Sequence, residues 1–191
     1  MAEPLVLASY MKDLFAAFEQ RGRLAALAVR DPDLVREVEA ASRVSWLPIA
    51  LNLRMVEGVV ASEGEQAGLA LVAECLEDQF ERPLWRDFIG GALRLLGRDP
   101  GSLGRWIPKA MQLIFRGCGS WSAERSGERA LEVRVHALPP VLAEHRLWLA
   151  SVAVGMTPVF GLCDTSGDCA LASSDPAQGT ACYRLSWKPL P

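Results

Sequence analysis

Apolar residues in the N-terminal half of the chain recur at spacings of three and four, which is typical of helices that bury one face. Asp31-Pro32 is a helix start signal, because aspartate caps free backbone N–H groups and proline suits the first turn. Residues 46–56 are apolar almost all round, which fits either a buried helix with Pro48 in its first turn or an extended connector. The pattern predicts a helical half, with helices over residues 5–18, 31–43, 65–80, 83–97 and 102–115.

The pattern changes after Gly119, where alternating apolar and polar residues predict strands. The predicted elements are a strand from Trp121, strands over residues 131–135 and 181–187, a long helix over 141–156, and a further strand in the apolar run 157–162. We therefore expect an α+β fold, with a helical N-terminal half packed on a small, mainly antiparallel sheet that one long helix crosses. Residues 1–191 are predicted to form a single domain, with a helical half at 1–116 and a strand-helix-strand half at 117–191.

Charge and cysteine content narrow the class of protein. The net charge of −3 gives no electrostatic reason to expect nucleic acid or an anionic membrane surface. The longest weakly charged stretch, residues 147–163, contains Gly155 and Pro158 and is too short and broken to span a membrane. The first residues do not have the pattern of a signal peptide, and five cysteines is an odd number. We expect a cytoplasmic protein with reduced thiols.

Three cysteines near the C-terminal strands are the candidate metal ligands. Cys163, Cys169 and Cys182 would meet if the strands bring them to one end of the sheet, with Cys118, Asp164 or Asp168 as a fourth ligand. Zinc sites usually contain closely spaced pairs, whereas the spacings here are C-x5-C and C-x12-C. Buried free thiols and a Cys163–Cys169 redox pair are the alternatives.

The sequence does not contain the motifs of common enzyme classes. It has no Walker lysine and no nucleophile elbow. The glycines at Gly117 and Gly119 lack dinucleotide-loop spacing and follow a helix rather than a strand. These absences favour a non-enzymatic protein and leave the question of an enzyme open.

The order of elements in roughly the last 110 residues resembles the superfamily of heme-NO-binding-like and 4-vinyl-reductase domains. It is more closely similar to an uncharacterised family first described from myxobacteria. The residues that carry the resemblance are 82–97, the predicted helix over 106–115, the strand over 131–139, Gly155 at the end of a helix, and the terminal segment 183–187. The resemblance implies a small-molecule-sensing or protein-docking domain.

The chain departs from the heme-binding members of that superfamily, which carry a proximal histidine and a Tyr-x-Ser-x-Arg motif. The most similar segment here is Tyr183-Arg-Leu-Ser, whose spacing differs from that motif. The two histidines are His136 at a strand end and His145 near a helix start. In that superfamily, a domain of the vinyl-reductase type that is proposed to hold a metal uses cysteines near its C-terminal strands. We therefore expect no resident cofactor, with zinc as the open alternative and heme disfavoured.

The resemblance further implies a cavity between the long helix and the N-terminal helices. The long helix presents Trp148 and Met156 on one side, and Phe88 and Leu113 are the expected neighbours in a ligand site. No charged residue is placed to pair with the ligand, so it should be a small apolar molecule or a flat ring. The leading hypothesis is a cytoplasmic, non-enzymatic sensor or regulatory module.

Two alternatives stay open: a metal- or tetrapyrrole-related cofactor-binding protein, and a pure protein-interaction adaptor. The expected partners are a second copy of the chain or a bacterial regulatory protein. Residues 47–60 and the first helix offer the apolar surface for a homodimer.

Overall fold

The structure is a computed structural model that describes residues 3–80, 90–91, 93–95 and 97–189. The N-terminal part contains mostly helices: β1 (Leu5–Leu7), α1 (Ala8–Gln20), α2 (Leu24–Arg30), α3 (Pro32–Ala40), β2 (Trp46–Pro48), α4 (Ile49–Glu63) and α5 (Glu65–Phe80). Beyond residue 97 come α6 (Pro100–Leu103), a 3₁₀ turn (Gly104–Trp106), α7 (Ile107–Ile114) and β3 (Phe115–Arg116).

The C-terminal part alternates strands and short helices. Its elements are β4 (Ser120–Gly127), β5 (Ala130–His136), α8 (Pro140–Ala143), α9 (Arg146–Gly155), α10 (Pro158–Leu162), β6 (Thr165–Asp175) and β7 (Thr180–Pro189). Among the described residues the strands form two antiparallel sheets, a small one with the order β2-β1-β3 and a larger one with the order β4-β5-β7-β6. The predicted α+β class is confirmed.

The larger sheet buries one face, as its alternating sequence requires. Leu131 and Val133 of β5 are buried and pair directly with Leu185 and Tyr183 of β7, which are buried as well. Charged residues such as Arg184 occupy the alternate positions and are exposed. The core therefore lies between this face and the helices.

Helix α4 lies in the middle of the core, which explains why its sequence is apolar on nearly every side. Its buried residues include Leu51, Met55 and Val56. Gly58 allows α2 to approach closely, because a Cβ there would lie 2.5 Å from Leu27 Cδ1. The apolar stretch 47–60 is thus largely used inside the molecule. The homodimer stays a prediction, but much of the surface that suggested it is buried.

Residues 46–56 combine both structures that the sequence allowed. Trp46–Pro48 is extended and pairs with β1, and the helix begins at Ile49. The same pairing shortens the first predicted helix, because Leu5–Leu7 form a strand and α1 begins only at Ala8.

Two further predictions of secondary structure are wrong. Residues 157–162 contain the helix α10 rather than a strand, and Pro158 occupies its first turn, where the missing N–H costs nothing. The long helix predicted over 141–156 is divided into α8 and α9, because His145 lies between them and caps α9.

The other helix predictions have mixed outcomes. The helix over 65–80 is confirmed. Asp99 caps α6, since its Oδ2 accepts a hydrogen bond from Ser102 N at 2.9 Å. The helix predicted over 83–97 lies mostly outside the described residues. No helix in the described ranges is both long enough and apolar enough to cross a membrane.

Candidate ligand cavity

A cavity of about 130 Å³ lies where α1, α4, α5, α6, α7, α9 and α10 meet. Its walls are mainly aliphatic and aromatic. The polar side chains among its described lining residues are those of Tyr10, Asn52, Gln79 and Ser151, and none of these residues carries a formal charge. Such a site favours a neutral, largely apolar molecule.

Helix α7 forms one wall of the cavity. Ile107, Ala110, Met111 and Ile114 line it, and their spacing of three and four places them on one face of the helix. Leu113 lies outside that face, is 43% exposed and does not line the cavity. The structure therefore corrects the position expected for Leu113, which apolar character alone could not assign to a face.

Helix α9 and the residue after it also line the cavity. Trp148 is 0% exposed and Met156 is 3% exposed, and both line the cavity, so the predicted burial of these two residues is confirmed. Gly155 also lines the cavity, where a Cβ would come within 3.1 Å of Leu76 Cδ1. Phe88, the fourth residue expected in the site, lies outside the described residues.

The indole of Trp148 is fixed by hydrogen bonds. Its Nε1 donates to Asn52 Oδ1 at 3.0 Å, and Asn52 Nδ2 donates to Met11 Sδ at 3.4 Å. At the start of α9, Trp148 N donates to His145 Nδ1 at 3.0 Å. The ring therefore presents a defined surface to the cavity, because both its backbone and its side chain are held.

Two further polar residues face the cavity from α1 and α5. Tyr10 packs edge-on against Phe115, with ring centroids 5.8 Å apart. Desolvation raises the pKa of the Tyr10 phenol well above its ordinary value of 10, so the hydroxyl stays neutral. Gln79 is buried, and its Nε2 has no hydrogen-bond acceptor among the described residues.

Sequence reasoning missed Tyr10, Asn52 and Gln79. The available signal was a polar residue at a core position of an apolar helix: Asn52 interrupts the apolar run of α4, and Gln79 follows Leu76 by three residues on α5. Polar residues buried at such positions are uncommon, and each one calls for an explanation.

The structure does not bring the three candidate metal ligands together. Cys169 pairs with Leu185 and is buried, whereas Cys182 pairs with Ser173 and is partly exposed. Cys182 lies beside Arg184 on the outward-facing set of β7 positions, so the two cysteines occupy opposite faces of the sheet. Within the part of the chain that the structure describes, no three His, Cys, Asp or Glu side chains are grouped to hold a metal ion. All five cysteines are free thiols.

No protein-family model and no curated protein matches the chain. Solved structures do match over nearly the whole length. An Fe(II) unliganded H-NOX protein from K. algicida superposes with a TM-score of 0.64 at 12% identity, covering 94% of this chain and 95% of that chain. A Cs H-NOX mutant with an unnatural amino acid gives 0.67 at 8% identity, covering 95% and 96%. A mutant H-NOX of T. Tengcongensis gives 0.66 at 8% identity, covering 95% and 97%.

The chain has the H-NOX fold. The resemblance to heme-NO-binding-like domains is therefore confirmed at the level of the fold. The similar structures also contradict the expectation of no cofactor with heme disfavoured, because they include an Fe(II) H-NOX protein and an H-NOX structure that addresses heme distortion. Heme must be considered as a ligand of this fold.

The residues around the cavity do not fit a heme that histidine ligates. The chain contains two histidines, His136 and His145, and neither lines the cavity. Both ring nitrogens of His145 are occupied, Nδ1 by the Trp148 backbone N–H and Nε2 by Glu57 Oε1 at 3.0 Å. In the described lining, the side chains of types that can ligate heme iron are methionines and Tyr10. That lining also lacks a cationic side chain to pair with heme propionates.

Proposed function

We propose that this chain is a non-enzymatic sensor or regulatory module that binds a small apolar molecule or a flat ring in the cavity beside Trp148. The observation that supports this proposal is the apolar cavity lined by helices of both halves of the chain. Concave apolar pockets of this kind are the usual sites of small-molecule binding. The relation to 4-vinyl-reductase domains and to the family first described from myxobacteria is part of the same proposal.

The size of the cavity limits the ligand. An apolar cavity of about 150 Å³ in another protein binds benzene, so a volume of about 130 Å³ suits a single ring. Because α7 belongs to the helical half and α9 to the C-terminal half, a bound molecule would contact both halves of the chain. Occupancy would therefore change the packing between the halves, which is what a regulatory module requires.

Heme is a second candidate ligand, and the fold comparison favours it. A heme would need more room than the cavity of about 130 Å³ provides, and it would need an axial ligand other than histidine. Because the fold comparison favours heme while the cavity and its lining do not, the test includes heme.

The test compares Met156→Trp with Leu113→Trp. Tryptophan at 156 should fill the cavity, whereas tryptophan at 113 lies outside the cavity face of α7 and serves as a control of the same size. The wild type and the control should show a rise in unfolding temperature with single-ring compounds such as toluene or acetophenone. Met156→Trp should not respond, and overpacking should cost it about 1–3 kcal/mol of stability.

Hemin titration followed by the Soret band tests the second candidate on the same three proteins. A wild type that responds neither to single-ring compounds nor to hemin would overturn the sensor proposal and leave the adaptor. Equal ligand responses in wild type and Met156→Trp would show that binding occurs elsewhere.

We propose that a second copy of the chain or a bacterial regulatory protein in the cytoplasm binds this chain according to whether the cavity is occupied. This part rests on the resemblance described above.

A further inference from the structure

We propose that Gln79 is the polar anchor of the cavity and donates a hydrogen bond from Nε2 to an oxygen acceptor on a neutral ligand. The ligand class that follows is a small aromatic or aliphatic molecule with a carbonyl or ether oxygen. This inference rests on the proposed function, because it assigns the chemistry of a ligand in the same cavity.

The first observation is the state of the Gln79 side chain. Gln79 is 2% exposed and lines the cavity, and its Nε2 is buried without an acceptor in the described chain. A buried donor without a partner is costly, and native proteins contain few of them. Tyr183 Oη is the other buried atom of this kind among the described residues, but Tyr183 does not line the cavity.

The other amide of the lining and its serine hydroxyl have partners already. Asn52 uses its oxygen for Trp148 Nε1 and its Nδ2 for Met11 Sδ. Ser151 Oγ donates to the Trp148 carbonyl at 2.8 Å. Gln79 is therefore the amide in the described lining that has a donor available for a ligand.

The uncharged lining disfavours an ionised ligand. No charged side chain is among the described lining residues, so a carboxylate or an ammonium group would be buried without a counter-ion. A neutral acceptor oxygen needs only a donor, and Gln79 Nε2 provides one.

The experiment uses two probes of almost equal shape, acetophenone and α-methylstyrene. The first has a carbonyl oxygen where the second has a methylene carbon, so their relative affinity measures a hydrogen bond. Dissociation constants would be measured for wild type, Gln79→Leu and Gln112→Leu. Gln112 lies on α7, is exposed and does not line the cavity, so it controls for the glutamine-to-leucine change itself.

We expect Gln79→Leu to lower the preference for the ketone over the alkene by about three- to tenfold, the range of one neutral hydrogen bond. Gln112→Leu should keep the wild-type preference. The unfolding temperature of ligand-free Gln79→Leu should be unchanged or higher, because the substitution removes an unpaired donor. If the Gln79→Leu protein does not fold, Gln79→Met replaces it, because methionine keeps an unbranched chain of similar length without an N–H group.

Each remaining outcome overturns a defined statement. If both probes bind and the preference is equal in wild type and Gln79→Leu, this inference is wrong and the proposed function stands. If Gln79→Leu unfolds at a markedly lower temperature and loses both probes, Gln79 is a structural residue and the inference is wrong. If neither probe binds the wild type, the proposed function fails together with the inference.

Discussion

The five cysteines differ in burial, and burial governs their chemistry. Desolvation raises the pKa of Cys75 and Cys163 to about 11 and that of Cys118 and Cys169 to about 12. The thiolate is the reactive form, so these four thiols should react slowly at neutral pH. Cys182 is partly exposed on the outer face of the sheet.

We therefore predict one fast thiol in the native protein at pH 8. A colorimetric disulfide reagent should modify Cys182 first, and Cys182→Ser should remove the fast phase while the four slow thiols remain. After denaturation without reductant, all five should react. A fast phase that survives in Cys182→Ser would contradict the prediction, and fewer than four reactive thiols after denaturation would indicate a disulfide.

At the scale of elements, long periodic segments were predictable and short ones were not. The sequence identified the helix over 65–80 and the strand over 181–187 because each has a sustained period. The apolar run 157–162 is too short for its period to distinguish a strand from a helix. Leu5–Leu7 form a strand only because Trp46–Pro48 and β3 pair with them, a contact that local sequence does not encode.

The candidate site was predictable to the same degree. Trp148 and Met156 could be assigned because they follow the apolar period of a long segment. Asn52 and Gln79 were missed, since a polar residue in a sequence is normally assigned to the surface. Their burial depends on α9, which is distant in sequence and packs on α4 and α5.

Asp31 gives a prediction at the scale of elements, because it joins two helices. Its Oδ1 accepts a hydrogen bond from Leu34 N at 3.0 Å and caps α3, and both carboxylate oxygens bind Arg54 of α4 at 2.5 and 2.9 Å. The hydrogen bond from Arg54 lowers the pKa of Asp31 below its usual value of 3.8. A lowered folded-state pKa contributes stability above pH 3.8, and that contribution is lost as the pH falls through the folded-state pKa.

Asp31→Asn keeps the cap and removes the charge, so the excess stability of the wild type over Asp31→Asn should shrink as the pH is lowered below 3.8. Asp31→Ala also removes the cap and should be less stable than Asp31→Asn by about 1 kcal/mol. Urea unfolding from pH 7 to pH 3 measures both differences. A wild type and an Asp31→Asn variant that lose stability in parallel would rule out this role for the ion pair.

At the scale of the whole molecule, the two halves share one core. Buried residues from Val6 to Trp187 form a single apolar cluster. Helix α9 belongs to the C-terminal half, yet it packs on α4 and α5 as well as on β6. The buried hydrogen bond between Trp148 Nε1 and Asn52 Oδ1 and the paired contacts between Arg146 and Glu65 cross the same boundary.

We therefore predict that the chain unfolds as one cooperative unit, with no stable helical half. Far-UV circular dichroism reports mainly on the helices, whereas tryptophan fluorescence also reports on Trp121 and Trp187 in the sheet, and the two transitions should coincide. Asn52→Leu leaves the Trp148 N–H unpaired in the core, so it should lower both midpoints equally, at a cost of about 1–3 kcal/mol. If Asn52→Leu instead separates the two transitions, or if residues 1–116 fold alone, the halves are independent units and this prediction is wrong.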